Sequence, residues 1–473
     1  MPMGHGTTET EGTTAMSAAT EHSETRPPIA YRIRGGEPVI GQIRALGAKN
    51  FATKAMVAAL LGDTPTQLLN YPAIGDVAIT REMLTAIGVV LTDEEDALLI
   101  DPAGLGSACV PIPDSGSNRI PILLLGALLH RFEEVSVPVL GGCRIGERPV
   151  DFHLTAIEQF GGEVITTAEG YIARRHGRLR GAQIKLPYPS VGATETCLFL
   201  SVLAEGRSVI ANAAIEPEII ELITMLRAMG AVIFTSAGRE IRVEGVRRLA
   251  GTRMKILGDR IEAASWACLA GASNGDITVS GINPNNLGNF LGYFQQVGGG
   301  FELIDSDTVR FFRRTPLTPT VVETDVYPGF STDWQQPFAI MLTQAHGISI
   351  IHETVYENRF GYLKALNILG ANTQLTTHCL GGLLCRYRDA NHEHSAIIVG
   401  PTPLHAEETA ITIPDLRAGL AYIIAAAIAR GTSLIFGVPM LERGYGDVVP
   451  RLSRMNLQIE RLLATDVTAS SRR

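Results

Sequence analysis

One phrase recurs along the chain: an apolar helical stretch ends at a glycine, and a Val/Ile-rich stretch follows. It reads Ala-Ile-Gly88-Val-Val, Gln-Phe-Gly161-Gly-Glu-Val, Ala-Met-Gly230-Ala-Val, Gln-Val-Gly298-Gly-Gly-Phe and Ile-Leu-Gly370-Ala-Asn, with a degenerate last copy at Arg-Met-Asn456-Leu-Gln-Ile. A second marker is interleaved, in which an apolar helix ends at Gly62, Gly206, Gly275, Gly347 or Gly431 and a strand opens. A glycine there supplies the left-handed residue that closes a helix C-terminus. The period is about 70 residues, so about six copies fit the chain. Few folds satisfy a sixfold α/β repeat of that size.

Each copy reads as strand, helix, strand, helix, strand. The strands are short: Leu68–Tyr71, Arg207–Ala211, Asp276–Gly281, Ile348–His352 and Thr432–Phe436. The helices Thr194–Ala204, Ile261–Ala270, Trp334–Gln344 and Leu416–Ala429 are apolar enough to be buried. Six units divide most simply into two lobes of three, and a cleft between lobes is where ligands usually bind. A tandem repeat without a catalytic cleft is the plainer alternative, and the charged residues weigh against it.

Those residues fall in short polar phrases beside the buried helices: Gly47-Ala48-Lys49-Asn50, Asn118-Arg119, Cys143 to Arg148, Asp259-Arg260, Thr332-Asp333, Glu357-Asn358-Arg359, Asp415-Leu416-Arg417 and Glu442-Arg443-Gly444. One arginine at a helix end is ordinarily a solvated or ion-paired residue. Eight such phrases in register with a repeat, in a chain of net charge -8, point to a strongly anionic small molecule, because guanidinium forks grip phosphate and carboxylate bidentately. The same net charge argues against a nucleic-acid enzyme, which wants a basic face. The stretch Pro138–His153 holds a cysteine among glycines and arginines. A thiol so placed favours its thiolate, and a Gly-rich loop of this kind suits a lid.

The six cysteines are scattered and mostly lie in apolar runs, which suits free thiols in a reducing cytosol. Cys379 and Cys385, with His378, look too isolated for a zinc site, and His392-Glu393-His394 reads as a solvated loop, so no metal is expected. Residues 1–28 are rich in Thr, Ser and Glu and read as a disordered tail. The apolar runs Ile120–Leu129 and Ala418–Ala429 fall short of a membrane span. A soluble, cytoplasmic protein with no obligatory protein partner is expected.

With these residues in view, the chain resembles the enolpyruvyl transferases. The resemblance runs from about Tyr31 to about Leu463 and rests on GAKN (47–50), GGCRIGERPVDFH (141–153), SVGAT (190–194), EPEI (216–219), DRIE (259–262), STD (331–333), ETVYENRF (353–360), DLRA (415–418) and ERGY (442–445). It implies a two-lobed, inside-out α/β barrel of six βαβαββ-like units, three per lobe. Lobe one would take 29–48 and 257–465, lobe two 49–256 with a flexible catalytic loop at 138–149, and 466–473 would form a tail.

The implied reaction adds an acceptor hydroxyl to C2 of phosphoenolpyruvate and then expels phosphate. No cofactor is implied. Lys49, Arg119, Arg148, Arg359, Arg417 and Arg443 would hold phosphoenolpyruvate. Asp333 would be the base, and Cys143 either the acid or a covalent holder of phosphoenolpyruvate; Lys49 and Arg417 complete the catalytic group. Asp415 and Arg260 would support them, Asp415 by orienting Arg417 or Lys49. A uridine nucleotide would be gripped by Asn50, Arg148, Pro149, Asp151, Phe152, Ser190, Val191, Gly192, Asp333 and Val355.

Two acceptors stay open at this point. The cell-wall branch, which uses UDP-N-acetylglucosamine, carries a lysine just before Ser-Val-Gly, where this chain has Tyr188-Pro189-Ser190. That lost cation, with the Pro121-Ile122-Leu123-Leu124 helix start, resembles the enolpyruvyl transferases of nikkomycin- and polyoxin-type nucleoside-antibiotic pathways. The balance tilts slightly toward UMP as acceptor. A catalytically dead paralogue would have lost Cys143, Asp333 or Arg417, and all three are present.

Overall fold

The computed structural model of the chain describes residues 30–142, 149–388 and 390–463. Cys143 and Arg148 therefore lie outside the described residues, as do the N-terminal Thr-rich segment and the segment after 463.

Among the described residues there are six sheets, and all share one wiring. An edge strand pairs in parallel with its neighbour, and two antiparallel pairings follow. In one sheet Ile40–Arg44 runs parallel to Asp276–Ser280, which pairs antiparallel with Thr308–Arg313, which pairs antiparallel with Gly299–Leu303. Five sheets have four strands; the sixth has three and gains its parallel edge from a bridge between Cys109 and Ser136. The sixfold repeat is thus a repeat of sheet topology. The recurring residues Gly88, Gly161, Gly230, Gly298 and Gly370 all have positive φ, from 89° to 109°, and Asn456 keeps the role at 52°. Of the second marker, Gly206, Gly347 and Gly431 have positive φ. Gly62 and Gly275 do not: a Cβ there would meet Ala250 O at 2.9 Å and Val39 O at 2.0 Å, so they are needed for close backbone approach instead.

Two hydrophobic cores form. One draws on residues between Tyr31 and Ala45 and between Ile261 and Ile459, and the other on residues between Ala48 and Ile256. The second contains helices α1 (Lys49–Ala59), α2 (Gly75–Ala86), α3 (Pro121–Leu128), α4 (Asp151–Gln159), α5 (Val191–Ser201) and α6 (Pro217–Ala228). The first contains α7 (Arg260–Ser273), α8 (Gly288–Gln296), α9 (Gln335–Leu342), α10 (Leu363–Ile368), α11 (Leu416–Ile428) and α12 (Val438–Tyr445).

In the first core α7, α9 and α11 pack against one another. Each is buried almost all round, as their uniformly apolar sequences demand. Sheets cover them, so helices lie inside and strands outside. Each buried Leu or Ile contributes about 1.5–3 kcal/mol. An aromatic cluster of Phe290, Phe330, Trp334 and Phe338 fills the base of α9, with ring centroids 5.3–6.4 Å apart. It holds Trp334 fast, and with it the neighbouring Asp333.

The chain crosses between the cores twice, and the crossings lie side by side. Gly47 and Gly258 form an antiparallel bridge, with Ala48 N donating to Leu257 O (2.7 Å) and Asp259 N to Leu46 O (2.8 Å). A Cβ at Gly47 would meet Asn70 O at 2.1 Å, and one at Gly258 would meet Gly281 O at 1.9 Å. Glycine is required at both. This pairing sets the starts of α1 and α7 next to each other at the lobe junction.

Candidate active site

Several of the polar phrases sit at the N-termini of buried helices. Lys49 and Asn50 open α1, Asp259 caps α7 through the Ile261 and Glu262 amides, and Asp415 caps α11 through the Arg417 and Ala418 amides. Asp333 directly precedes Trp334, the cap of α9. Helix N-termini carry partial positive charge, so their convergence favours an anion there.

Arg417 is the hub. Its Nη1 donates to Tyr445 Oη and its Nη2 to Asn50 Oδ1, both at 2.9 Å, and its Nε lies 3.3 Å from Asp333 Oδ2. Arg359 donates from Nη2 to Asp333 Oδ1 (2.6 Å) and to Thr332 O (3.2 Å). Its Nε is buried without a hydrogen-bond partner. Burial alone would raise the Asp333 carboxyl, but Arg417 and Arg359 override it and hold its pKa at about 2.

A second knot lies beside the first. Asp76 Oδ2 is 2.6 Å from Lys49 Nζ, and Asp76 Oδ1 accepts from Arg443 Nε at 2.5 Å. Burial lowers the Lys49 pKa, and Asp76 offsets part of that. Arg443 belongs to α12 and Asp76 to α2, so this contact joins the lobes, and Gly75 lets the backbones meet. Asn118 reaches the Asp76 carbonyl from Nδ2 (3.4 Å) and accepts from the Ile120 amide, which brings Arg119 to the same place. Gly141 N donates to Asn118 O (3.0 Å), so the base of the cysteine loop ends here too.

The structure thus brings together Lys49, Asn50, Asp333, Arg359, Arg417 and Arg443, with Arg119 adjacent. Arg260 stands slightly apart, its guanidinium bidentate on Glu218 (3.0–3.3 Å) across the lobes and 5.2 Å from the Trp334 ring centroid. Asp415 meets Arg417 through the helix cap rather than through its guanidinium.

The nucleotide candidates form a neighbouring group. Ser190 caps α5, accepting from Ala193 N. A Cβ at Gly192 would meet the His153 ring at 3.0 Å, which joins 190–192 to the Pro149–Phe152 segment. Asp151 is exposed and Phe152 half-buried. Tyr188 carries the Arg386 guanidinium 5.1 Å from its ring centroid. Arg386 Nη2 donates to Val355 O, and Tyr387 Oη reaches the same oxygen at 2.8 Å. Val355 N in turn donates to the fully buried Glu353 (2.8 Å). Glu353 also accepts from Thr332 Oγ1 and Gln335 Nε2, both at 2.8 Å.

Asp76 escapes sequence reading, because it lies in none of the motifs and finds its partners only through tertiary folding. Glu218, Glu353 and Tyr445 had a signal, as members of EPEI, ETVYENRF and ERGY. Where the sequence shows no lysine before Ser190, the structure places the Arg386 guanidinium over the Tyr188 ring. His394 is no solvated loop residue: it is buried, and it gathers with His352, Cys379 and Cys385. A cavity of about 450 Å³ elsewhere is lined by Asp63, Arg131, Arg175, Arg178, Arg247 and Arg248, none of them site candidates. Volume alone does not locate the chemistry. No helix among the described residues is long and apolar enough to cross a membrane.

A two-lobed inside-out α/β fold with a cationic junction defines a class, the enolpyruvyl transferases. The chain belongs to the EPSP synthase (3-phosphoshikimate 1-carboxyvinyltransferase) family, whose profile matches residues 33–452, and it is a carboxyvinyl transferase. It is 46% identical over 436 residues to a UDP-N-acetylglucosamine 1-carboxyvinyltransferase of Protochlamydia amoebophila, covering 90% of this chain and 93% of the relative. A Chlamydia muridarum protein of the same name is also 46% identical, over 90% of this chain and 97% of its own. Among solved structures, the enolpyruvyl transferase NikO from Streptomyces tendae superposes with a TM-score of 0.79 at 22% identity, over 92% of this chain and 99% of that one. EPSP synthase from Acinetobacter baumannii gives 0.66 at 17%, over 92% and 100%. These two likenesses speak to the fold alone.

Proposed function

We propose that the chain transfers the enolpyruvyl group of phosphoenolpyruvate to a hydroxyl of UDP-N-acetylglucosamine and so serves peptidoglycan synthesis. The observation that carries this is the 46% identity, along nine-tenths of the chain, to enzymes named for that reaction. The preference for UMP rested on Tyr188, and Arg386 over its ring weakens that reason. A diphosphate at the start of α5 would meet a guanidinium there in place of the missing lysine.

Lys49, Arg119, Arg148, Arg359, Arg417 and Arg443 are proposed to clamp the phosphate and carboxylate of phosphoenolpyruvate. Asp76 and Asp333 now neutralise part of that set. The substrate would take over those partners, and the exchange has a chemical consequence. An aspartate held at about 2 by two guanidiniums is a poor base. Once the arginines turn to the substrate, Asp333 becomes basic enough to take the acceptor's proton.

The acceptor oxygen then bonds to C2 while C3 gains a proton, giving a tetrahedral intermediate. Loss of a proton from C3 and cleavage of the C2–O bond to phosphate regenerate the enol ether. Cys143 is proposed as the acid that protonates C3 or as a covalent holder of phosphoenolpyruvate. Asn50, Arg148, Pro149, Asp151, Phe152, Ser190, Val191, Gly192, Asp333 and Val355 are proposed to hold the nucleotide, and Asp415 and Arg260 to position Arg417 and Asp333. Mass spectrometry of the nucleotide after incubation with phosphoenolpyruvate tests the reading. UDP-N-acetylglucosamine should gain one carboxyvinyl group; a gain on UMP alone would overturn it.

A further inference from the structure

The repeat offers a measure of what is unusual in this chain. In four of the other five units the hairpin between the two antiparallel strands turns in two to four residues, at 95–96, 167–169, 237–239 and 304–307. In the fifth unit the same hairpin, between Asn372–Thr376 and Ser395–Gly400, is filled by residues 377–394. This insertion has almost no apolar core of its own: Leu384 is 94% exposed, and Cys385 and Tyr387 are its buried apolar side chains. A segment that short needs a staple to hold one conformation.

The staple is present in the side chains. His352, at the end of the neighbouring strand Gly347–His352, and Cys379, Cys385 and His394 from the insertion place their ligand atoms within 4.8 Å of one another. Cys379 Sγ and His394 Nε2 are 3.2 Å apart. In a tetrahedral S₂N₂ zinc site such edges measure about 3.2–3.8 Å, from metal–ligand bonds of about 2.0–2.3 Å. The His352 side chain is 0% exposed, and its Nε2 is buried without a hydrogen-bond partner.

The surroundings already orient the ligands. His394 Nδ1 lies 2.7 Å from the His392 carbonyl, which directs Nε2 to the cluster. His352 Nδ1 lies 3.4 Å from Glu323 Oε2, a carboxylate–imidazole arrangement typical behind a bound metal. Glu323 is itself fixed by the Gly382 and Leu383 amides, at 2.9 and 2.8 Å. The Tyr387 amide donates to Cys385 Sγ (3.4 Å). A Cβ at Gly381 would meet His352 Nδ1 at 2.2 Å, so glycine alone lets the loop close over the imidazole. The Cys-x₅-Cys spacing is longer than the usual two to four intervening residues; Gly381 and Gly382 absorb the extra length.

We propose that His352, Cys379, Cys385 and His394 form a structural Cys₂His₂ site for a tetrahedral divalent metal, zinc by its donor set. Four protein donors leave no open position, so the metal's role is to fold the insertion. The insertion carries Arg386 immediately after a ligand. On the acceptor reading above, the metal would also set the guanidinium beside Tyr188, but the site itself stands independently of that reading.

The test uses the full-length protein, purified under reducing conditions without added chelator. Elemental analysis should find one zinc per chain in the wild type and in the Cys109→Ser control, and none in Cys379→Ser/Cys385→Ser. Cobalt(II) added to chelator-stripped wild type should give tetrahedral d–d absorption with a two-thiolate charge-transfer band. That readout holds even if the double variant fails to fold. Wild type that lacks zinc and gives no such cobalt spectrum overturns the proposal. So does zinc retained at one per chain in the double variant, or a Cys379–Cys385 disulfide in the protein as isolated.

Discussion

Asp333 carries opposite demands. Its two arginine partners keep it ionised, and the proposed reaction asks it to accept a proton. Replacing it with Asn keeps the shape and removes the base, so Asp333→Asn should lower kcat by about 10²–10⁴-fold, measured as phosphate release. A kcat within a few-fold of wild type would remove it from the chemistry. Glu195 on α5 shows burial winning over a neighbouring cation. Desolvation raises its carboxyl to about 7 despite the pull of Lys54. The folded state therefore holds a proton that the unfolded chain releases. That contribution to stability is full below about pH 4.5, declines as pH rises and is gone above about 7. Glu195→Gln should gain on wild type by roughly 3 kcal/mol between pH 4 and pH 8, read from urea unfolding at each pH; a gap that does not change with pH would contradict this. At this scale Lys49, Asp333 and Arg417 were legible because each stands in a local motif beside a buried helix. Asp76 was not, because its role exists only when α2 of one lobe meets α12 of the other.

At the scale of elements, much of the candidate site is built from helix starts, and α11 shows how a cap can serve it. Asp415 accepts from the Arg417 and Ala418 amides at 2.9 and 3.0 Å. Asp415→Ala should cost about 1 kcal/mol of stability and raise the KM for phosphoenolpyruvate, since the first turn carries Arg417. Asp415→Asn, which can still cap, should restore most of both; an Asn variant as damaged as Ala would point to the charge instead. The glycine phrases made the six units readable, because a left-handed residue after a helix is a local requirement. The buried helices were readable from their apolar runs, within a turn at their ends. The 377–394 insertion was not, because it breaks the repeat: its cysteines seemed isolated until His352 joined them from the neighbouring strand.

Across the whole molecule, the lobes meet through side chains of the candidate site and their partners. Asp76 with Arg443, Asn50 with Arg417 and Glu218 with Arg260 all span the junction. Breaking a buried pair is costly because it strands a charge, so on the proposed reading phosphoenolpyruvate must offer the cations of these pairs an anion in exchange. The two-lobed architecture was legible from period and resemblance. The proposed acceptor was not, because Arg386, which lies over the Tyr188 ring, stands almost two hundred positions away. The most direct measurement is phosphate release from phosphoenolpyruvate by the purified full-length protein, comparing kcat/KM for UDP-N-acetylglucosamine with that for UMP. The account predicts release with UDP-N-acetylglucosamine and little with UMP, and an Arg386→Ala variant weakened toward UDP-N-acetylglucosamine. Release with UMP and none with UDP-N-acetylglucosamine would contradict it.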